Sequence, residues 1–442
     1  MPAGGRTARW ADTLRTQLWP LPVVAVVGAV VLGVVLPGLD AAVDGKLPEG
    51  VAVFLFSGGP EAARSILQAI AGSLITVTSL TFSLTVVTLQ LASSQFSPRL
   101  LRTFTADRFV HGTLALFLAA FAFALTVLRI VRDEGVRTTP FVPEISVTIA
   151  FVLAIASVIG LVLFLAHLTR EIRVETMMRR VSVETRKAID RVFPENRPHL
   201  GPGPAPDSGA VLIRSTHSGF LTSLDKEALL QAAKDAGAVI RVDREPGSSL
   251  VEGVPFATAW PVDQPTTFPP EVREELAAGV NAAVTTGFER TNVQDVGFGF
   301  RQLVDVATRA LSPGINDPTT AVHVIGHLSV LLCQLVGRNP APDHLIDEHG
   351  RVRVVLTLPS LGDLLGTAMD QPRQYGAADP FVAGRLLGLL QELTWCDQKG
   401  QYRSEVLEHL ERMRNAIGVA DYPSAERKSL LDRADTIQRA GT

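Results

Sequence analysis

The chain has 442 residues, 47% hydrophobic and 19% charged, with a mean hydropathy of +0.25. Soluble globular chains carry about 25% charged residues, so this composition excludes a disordered chain and argues against a wholly soluble one, while a fully embedded chain would average higher. The net charge of −3 supplies no field to hold nucleic acid, and no nucleic-acid partner is expected.

Four segments are long and apolar enough to cross a bilayer, which takes about 20 residues as a helix. They run from about Leu18 to Leu39, Ile66 to Leu91, Val110 to Ile130 and Ile145 to Leu168. Pro20, Pro22 and Pro37 lie near the ends of the first, where proline is tolerated. The last three have no acid or base in their cores. One flank of the set carries Arg6, Arg9, Arg15, Arg99, Arg102, Arg108, Arg170, Arg173, Arg179, Arg180, Arg186 and Lys187. The other carries Lys46, Arg64, Arg129, Arg132 and Arg137 among several acids. The positive-inside rule therefore places both termini in the cytoplasm, as an even number of spans also requires. A cleaved signal peptide is the rival reading of the first segment, with Arg6, Arg9 and Arg15 as its basic flank.

The second span is rich in hydroxyls. At 100° per residue these sort into two stripes on roughly opposite faces: Thr76, Ser79, Ser83, Gln90 and Ser94 on one, and Thr78, Thr81, Thr85 and Thr88 on the other. Small polar residues let membrane helices pack closely, which explains one stripe without any function. A second stripe suits packing on both faces or a water-filled path, since hydroxyls hydrate an ion without trapping it by charge. The absence of a buried acid argues against a proton relay. After Pro98, Arg99 and Arg102 are expected at the membrane interface, either anchoring the chain to headgroups or ringing a pore mouth in an oligomer.

The fourth span is expected to continue as a charged amphipathic helix over Thr169–Phe193, followed by a proline- and glycine-rich linker from Pro194 to Ser208. A small α/β module follows over 209–265. It has strands at 210–216 and 238–243 and a helix at Asp225–Ala236 stopped by Gly237. Leu250–Phe256 looks like half of a barrel-sandwich module of the lipoyl type, without the lysine that lipoylation or biotinylation needs. Residues 266–442 read as mainly helical, with helices at Pro270–Gly287, Phe298–Leu311, Pro318–Arg338, Ser360–Tyr375, Pro380–Gln398, Arg403–Ile417 and Ser424–Arg439, and a strand at Val352–Leu358. The domain plan is thus a cytoplasmic N-terminus over 1–17, four transmembrane helices over 18–168, a membrane-proximal helix and linker over 169–208, and the cytoplasmic α+β, mainly helical, region beyond.

The densest polar constellation lies between Glu289 and Thr320. It contains Arg290 and Asp295, then Arg301, Asp305 and Arg309 at i, i+4 and i+8, a charge ladder on one helix face. Ser312-Pro313-Gly314 stops that helix. Asn316 and Asp317 precede the next one, with Asp317 as N-cap, Pro318 at N1 and Thr319 and Thr320 in the first turn. Helix capping accounts for most of this segment, although the ladder and cap could also cradle a small anion or a partner helix.

The stretch RALSPGINDPTTA, with ERTNVQD upstream and SLTFSLTVVTLQLASSQFSPRLLRTF in the second span, resembles a bacterial family of predicted membrane proteins, domain of unknown function twenty-two fifty-four. The likeness covers nearly the whole chain. It implies four spans in the bacterial plasma membrane and a cytoplasmic C-terminal region, with no established activity and no functional residues to carry over.

No P-loop order occurs, and Gly297-Phe298-Gly299 lacks the third glycine and the preceding strand of a dinucleotide site. His323 and His327 share a helix face without a third ligand, Cys333 and Cys396 read as packed thiols, and Asp363 and Asp370 lack a basic partner for acid–base work. No enzyme, cofactor or metal is expected. Two functional readings stay open. One is a homo-oligomeric channel for a small ion or anion with the second span lining the path. The other is a membrane-anchored cytoplasmic ligand sensor or scaffold.

Overall fold

A computed structural model of the chain describes residues 19–43, 55–95, 107–132, 141–171, 173–195, 203–206, 209–262, 267–338, 340 and 342–440, with the side chains of 41–43 and 91–95 excepted. It divides into a unit up to Arg173 and a unit from Val174 onward.

In the first unit, α1 (Pro20–Val43), α2 (Pro60–Gln95), α3 (Arg108–Ile130) and α4 (Glu144–Glu171) coincide with the four apolar segments. Pro37 is interior to α1, which runs past it to Val43. With 36 residues α2 is about 54 Å long at 1.5 Å per residue, well beyond the ~30 Å hydrocarbon core. The other three helices all pack on α3. Its Ala120, Phe123, Ala124 and Val127 are buried against Ala63, Leu67, Leu74 and Ala150. Close approach needs small residues: at Gly33 a Cβ would come 2.8 Å from Thr126 of α3.

The second unit opens with α5 (Val174–Val192). This corrects the expected continuous helix over Thr169–Phe193: α4 ends at Glu171, and Arg173 N donates to Arg170 O in a closing turn before α5 begins. An α/β layer follows, formed by β1 (Val211–Arg214), β2 (Gly219–Leu224), α6 (Lys226–Asp235), β3 (Ala238–Val242), β4 (Ser249–Leu250), β5 (Pro255–Pro261), α7 (Pro270–Ala282) and β6 (Val284–Gly287). Then come α8 (Val296–Ala310), α9 (Pro318–Arg338), β7 (Asp343–Ile346), β8 (Val352–Leu356), α10 (Leu361–Gly376), α11 (Pro380–Cys396), α12 (Arg403–Val419) and α13 (Ser424–Ala440).

The strands form a five-stranded sheet in the order β1-β5-β3-β8-β7 and a three-stranded sheet β4-β2-β6. Among the described strands only β3 and β8 run parallel, with Ile240 opposite Val354. The α/β part therefore draws β7 and β8 from far downstream and is not confined to 209–265. The barrel-sandwich expectation is also corrected: Leu250–Phe256 spans β4, a turn at Gly253 and the start of β5, and its two strands lie in different sheets. The expected helix Pro270–Gly287 stops at Ala282, where β-branched Val284, Thr285 and Thr286 pair with β2 as β6. Leu221, Leu229, Ile240, Phe256, Leu276, Val280 and Val354 form the core between sheets and helices.

The helical part wraps α9, which packs against α5, α8, α10 and α11. Ala321, Val324, Ile325, Leu328, Leu331, Leu332 and Leu335 of α9 are fully buried by these neighbours. By length and apolarity α9 is a fifth helix able to cross a membrane, besides α1–α4. Gly299 of the Gly297-Phe298-Gly299 segment sits where α8 meets α5: a Cβ there would lie 1.8 Å from Thr185 Oγ1. That glycine serves helix packing.

Candidate functional site

The two stripes of α2 have separate surroundings. Thr78, Thr81, Thr85 and Thr88 are buried in the first unit. Each hydroxyl donates to the carbonyl one turn back, on Leu74, Val77, Thr81 and Leu84, at 2.7–2.8 Å. This is the low-cost way to bury a hydroxyl in a helix. Thr76, Ser79, Ser83 and Gln90 lie on the outward face of the unit. Thr76 donates to Gly72 O at 3.1 Å, whereas Ser79, Ser83 and Gln90 have no hydrogen bond among the described residues. Leu80, Phe82, Val86 and Val87 are exposed on the same outer surface. Ser94 belongs to α2 but its side chain, like Arg99 and Arg102, falls outside the described residues.

Polar clamps hold both ends of this helix set. Asp40, near the C-terminal end of α1, is 7% exposed. It caps α4 from another helix: Ile145 N and Ser146 N donate to its two carboxylate oxygens at 2.9 and 3.1 Å, and Ser146 Oγ donates at 2.7 Å. At the other end Asp107 caps α3 by accepting from Phe109 N and pairs with His167 Nε2 of α4 at 2.6 Å. The His167 ring also lies 4.6 Å from that of Phe109. Arg64 Nη2 of α2 donates to Val131 O, just past the C-terminus of α3.

The Glu289–Thr320 constellation resolves into two parts. In the first, Asp295 is the N-cap of α8, accepting from Phe298 N at 2.9 Å, and Arg290 grips the same carboxylate through Nε at 2.7 Å and Nη2 at 3.0 Å. The guanidinium also lies over the Phe298 ring, 5.4 Å from its centroid. Only 3% of the Asp295 side chain is exposed. Gly247 comes so close that a Cβ would sit 2.1 Å from Asp295 Oδ2. Burial raises the Asp295 carboxyl above its ordinary range despite Arg290, and Glu245 is raised by burial, then by Asp295 and Asp363. A carboxylate raised this way destabilises the fold while ionised. Its cost grows as pH rises from the ordinary carboxylate range to the raised folded value, stays at its full size above that, and vanishes only below the ordinary range. Glu245→Gln is accordingly expected to raise the melting temperature at neutral and mildly alkaline pH and to leave it nearly unchanged once the pH falls below the ordinary carboxylate range, read by differential scanning fluorimetry.

In the second part, Asp317 caps α9: Thr320 N and Thr320 Oγ1 donate to it at 3.0 and 2.5 Å. Asn316 before it has φ +49, a left-handed residue closing the turn from α8. The Thr320 bonds hold the Asp317 carboxyl below its ordinary range. That stabilisation is present above the ordinary carboxylate range and is lost as pH falls through the lowered value. Asp317→Ala is expected to cost about 1 kcal/mol, a cap's worth, as a fall of a few degrees in melting temperature. Thr319 and Arg309 are exposed, and Ser312 Oγ donates to Arg309 O.

The ladder Arg301–Asp305–Arg309 is dispersed. Arg301 Nη1 donates to Gln371 Oε1 of α10 at 3.0 Å and lines a cleft of about 440 Å³ between α8, α10 and α12. Asp363, Asp370, Glu405, Glu408, His409 and Arg412 also line it. Arg412 pairs with Asp370 at 3.3 Å and with Glu408. His409 is 5% exposed and its Nδ1 has no hydrogen-bond partner. Burial holds its imidazole below the ordinary range, which favours the neutral form. No cluster of three or more metal-ligating side chains occurs among the described residues.

The family model of predicted membrane proteins DUF2254 matches residues 15–392. The chain belongs to that family. Similar proteins occur in Mycobacterium tuberculosis and in Mycobacterium bovis, each called an uncharacterized protein. Both are 34% identical over 385 residues, covering 86% of this chain and 72% of theirs. No solved structure matches the chain. Membership fits α1–α4 as apolar helices suited to membrane integration.

Within this DUF2254 member, four residues that shape these clusters carry no clear signal in the sequence: Asp40, Glu245, Gly247 and His409. Asp40 reads as a loop acid beyond the first span because its partners lie more than a hundred residues away. Gly247 carries a local signal, a Glu-Pro-Gly-Ser turn, but not the approach of Asp295. His409 looks like any amphipathic-helix histidine until α10 closes over it.

Proposed function

We propose that the protein is a multi-pass protein of the bacterial plasma membrane, with α1–α4 as its spans and both termini cytoplasmic. In this reading copies of the chain assemble so that the outward face of α2 lines a hydrophilic path for a small ion. The observation that carries it is the placement of Thr76, Ser79, Ser83 and Gln90. The threonine stripe already satisfies packing within the unit, so the second stripe has no such task there. Polar groups facing hydrocarbon are costly, and a homo-oligomeric contact or a water-filled path relieves that cost. The basic flank supports the orientation. In this reading α9 stays in the cytoplasmic bundle, because its own unit already covers its apolar face. The role is transport or assembly, without catalysis.

Reconstitution of the full-length protein in a planar bilayer tests this. Conductance is expected under an ionic gradient, and the double variant Ser79→Leu/Ser83→Leu is expected to reduce it at least tenfold. Absence of conductance under voltage, tension and salt gradients would contradict the proposal, as would conductance unchanged in the variant.

The cleft between α8, α10 and α12 favours a second reading, a membrane-anchored sensor of a small polar ligand. His409 supplies a buried, unpartnered ring nitrogen, and the carboxylates outnumber the arginines, so a cationic group suits it best. The sensor reading predicts a ligand-induced rise in melting temperature of the intact protein that His409→Phe removes, with no conductance.

A further inference from the structure

The only two cysteines of the chain lie in different helices, α9 and α11, which pack on one another. Their register is fixed one turn earlier. Ser329 of α9 donates its hydroxyl to Glu392 of α11, and Arg385 holds the same carboxylate with two bonds of 2.9 Å. Ser329 is buried. Cys333 stands four residues after Ser329, and Cys396 four residues after Glu392. Residues i and i+4 lie on one helix face, about one turn apart. The two helices therefore carry the cysteines along in parallel, and the thiols interact across the interface. Both are free: Cys333 is half-buried and Cys396 is exposed. Cys396 is also the last residue of its helix, where the backbone can adjust to the Cα separation of about 4.4–6.8 Å that a disulfide requires.

We propose that Cys333 and Cys396 form a reversible oxidative modification site, in which a peroxide converts the thiol pair to a disulfide joining α9 to α11. In the first step the Cys396 sulfur attacks the peroxide O–O bond, forming a sulfenic acid and releasing water. In the second the Cys333 sulfur attacks the Cys396 sulfur, the S–O bond breaks, and hydroxide leaves with the Cys333 proton as water. Two thiols lose two electrons, and one hydrogen peroxide becomes two waters. The order follows from exposure: Cys396 meets solvent, while burial and the neighbouring Cys396 push the Cys333 thiol up to about 12. Cys333 is thus a poor first nucleophile and a placed resolving thiol. In a reducing compartment the pair rests as thiols, and a disulfide forms only under oxidant.

The test treats the full-length, detergent-solubilised protein with hydrogen peroxide, followed by thiol alkylation and mass spectrometry. The expected result is loss of both alkylatable thiols, an intact mass two hydrogens lower, one peptide pair joined through Cys333 and Cys396, and full reversal by dithiothreitol. Cys333→Ser is expected to leave a sulfenic acid on Cys396 that dimedone captures, and Cys396→Ser to leave Cys333 reduced. The proposal is overturned if the unmodified sequence oxidises at Cys396 while Cys333 stays alkylatable, if disulfides form only between molecules, or if neither thiol reacts.

Discussion

Substitution of Gly247 by alanine is expected to be among the most disruptive single changes in the second unit, costing on the order of 4 kcal/mol. Two terms add. The residue has φ +94, a region that strains an L side chain by about 1–3 kcal/mol. The new Cβ would lie 2.1 Å from Asp295 Oδ2 and 2.9 Å from Arg290 Nη2. Neither group can retreat cheaply, because Asp295 is held by Phe298 N and by both bonds from Arg290. Gly247 is itself pinned, donating to Leu221 O at 2.7 Å. Separating a largely buried ion pair costs about 3–5 kcal/mol, lessened here because Arg290 is partly exposed. Gly253 supplies the control. Its φ is +77, but nothing lies within 4 Å of a Cβ there, so Gly253→Ala carries the strain term alone. Chemical denaturation should therefore rank Gly247→Ala far below Gly253→Ala in stability. Equal losses would show that the Arg290–Asp295 pair is not held as described.

In the first unit the largest effect is expected at Asp40. Asp40→Ala leaves Ile145 N, Ser146 N and Ser146 Oγ without their acceptor at a buried helix start. Each unpaired buried donor costs about 1–3 kcal/mol. Water reaching part of the site offsets some of this, so a total of about 2–4 kcal/mol is expected. Asp40→Asn keeps an acceptor oxygen while losing the charge that favours a helix N-terminus, and should recover about half. Thermal unfolding of the detergent-solubilised protein reads both variants. A melting temperature unchanged in Asp40→Ala would contradict the cap.

Much of the helical plan was legible because it rests on local signals. The four apolar segments, the Asp317 cap and the Pro318, Pro380 and Ser424 starts carry their own cues. The strands were harder. Thr285 and Thr286 signal β structure, but the preceding amphipathic pattern of α7 absorbs them. β7 and β8 join a sheet begun a hundred residues earlier, a pairing no local pattern specifies. The end of α4 at Glu171 has no proline or glycine to mark it. For α2, periodicity separates two stripes but cannot say which faces inward, since both consist mainly of small hydroxyl residues. Packing on α3 and α4 decides that. The charge ladder dispersed because Arg301 found Gln371 across the cleft, a partner that spacing along α8 cannot reveal.

In the proposed assembly the outward hydroxyl face of α2 meets water between copies of the chain. Cysteine accessibility in the membrane measures this directly. In a background with Cys333→Ser and Cys396→Ser, the variants S79C and S83C are treated in intact membranes with a charged, membrane-impermeant thiosulfonate. Both are expected to label fully, while T81C and T85C, on the buried stripe, stay unlabelled. Labelling of the threonine stripe with protection of Ser79→Cys and Ser83→Cys would contradict the account, because the outward face would then meet lipid or protein and the path would lie elsewhere.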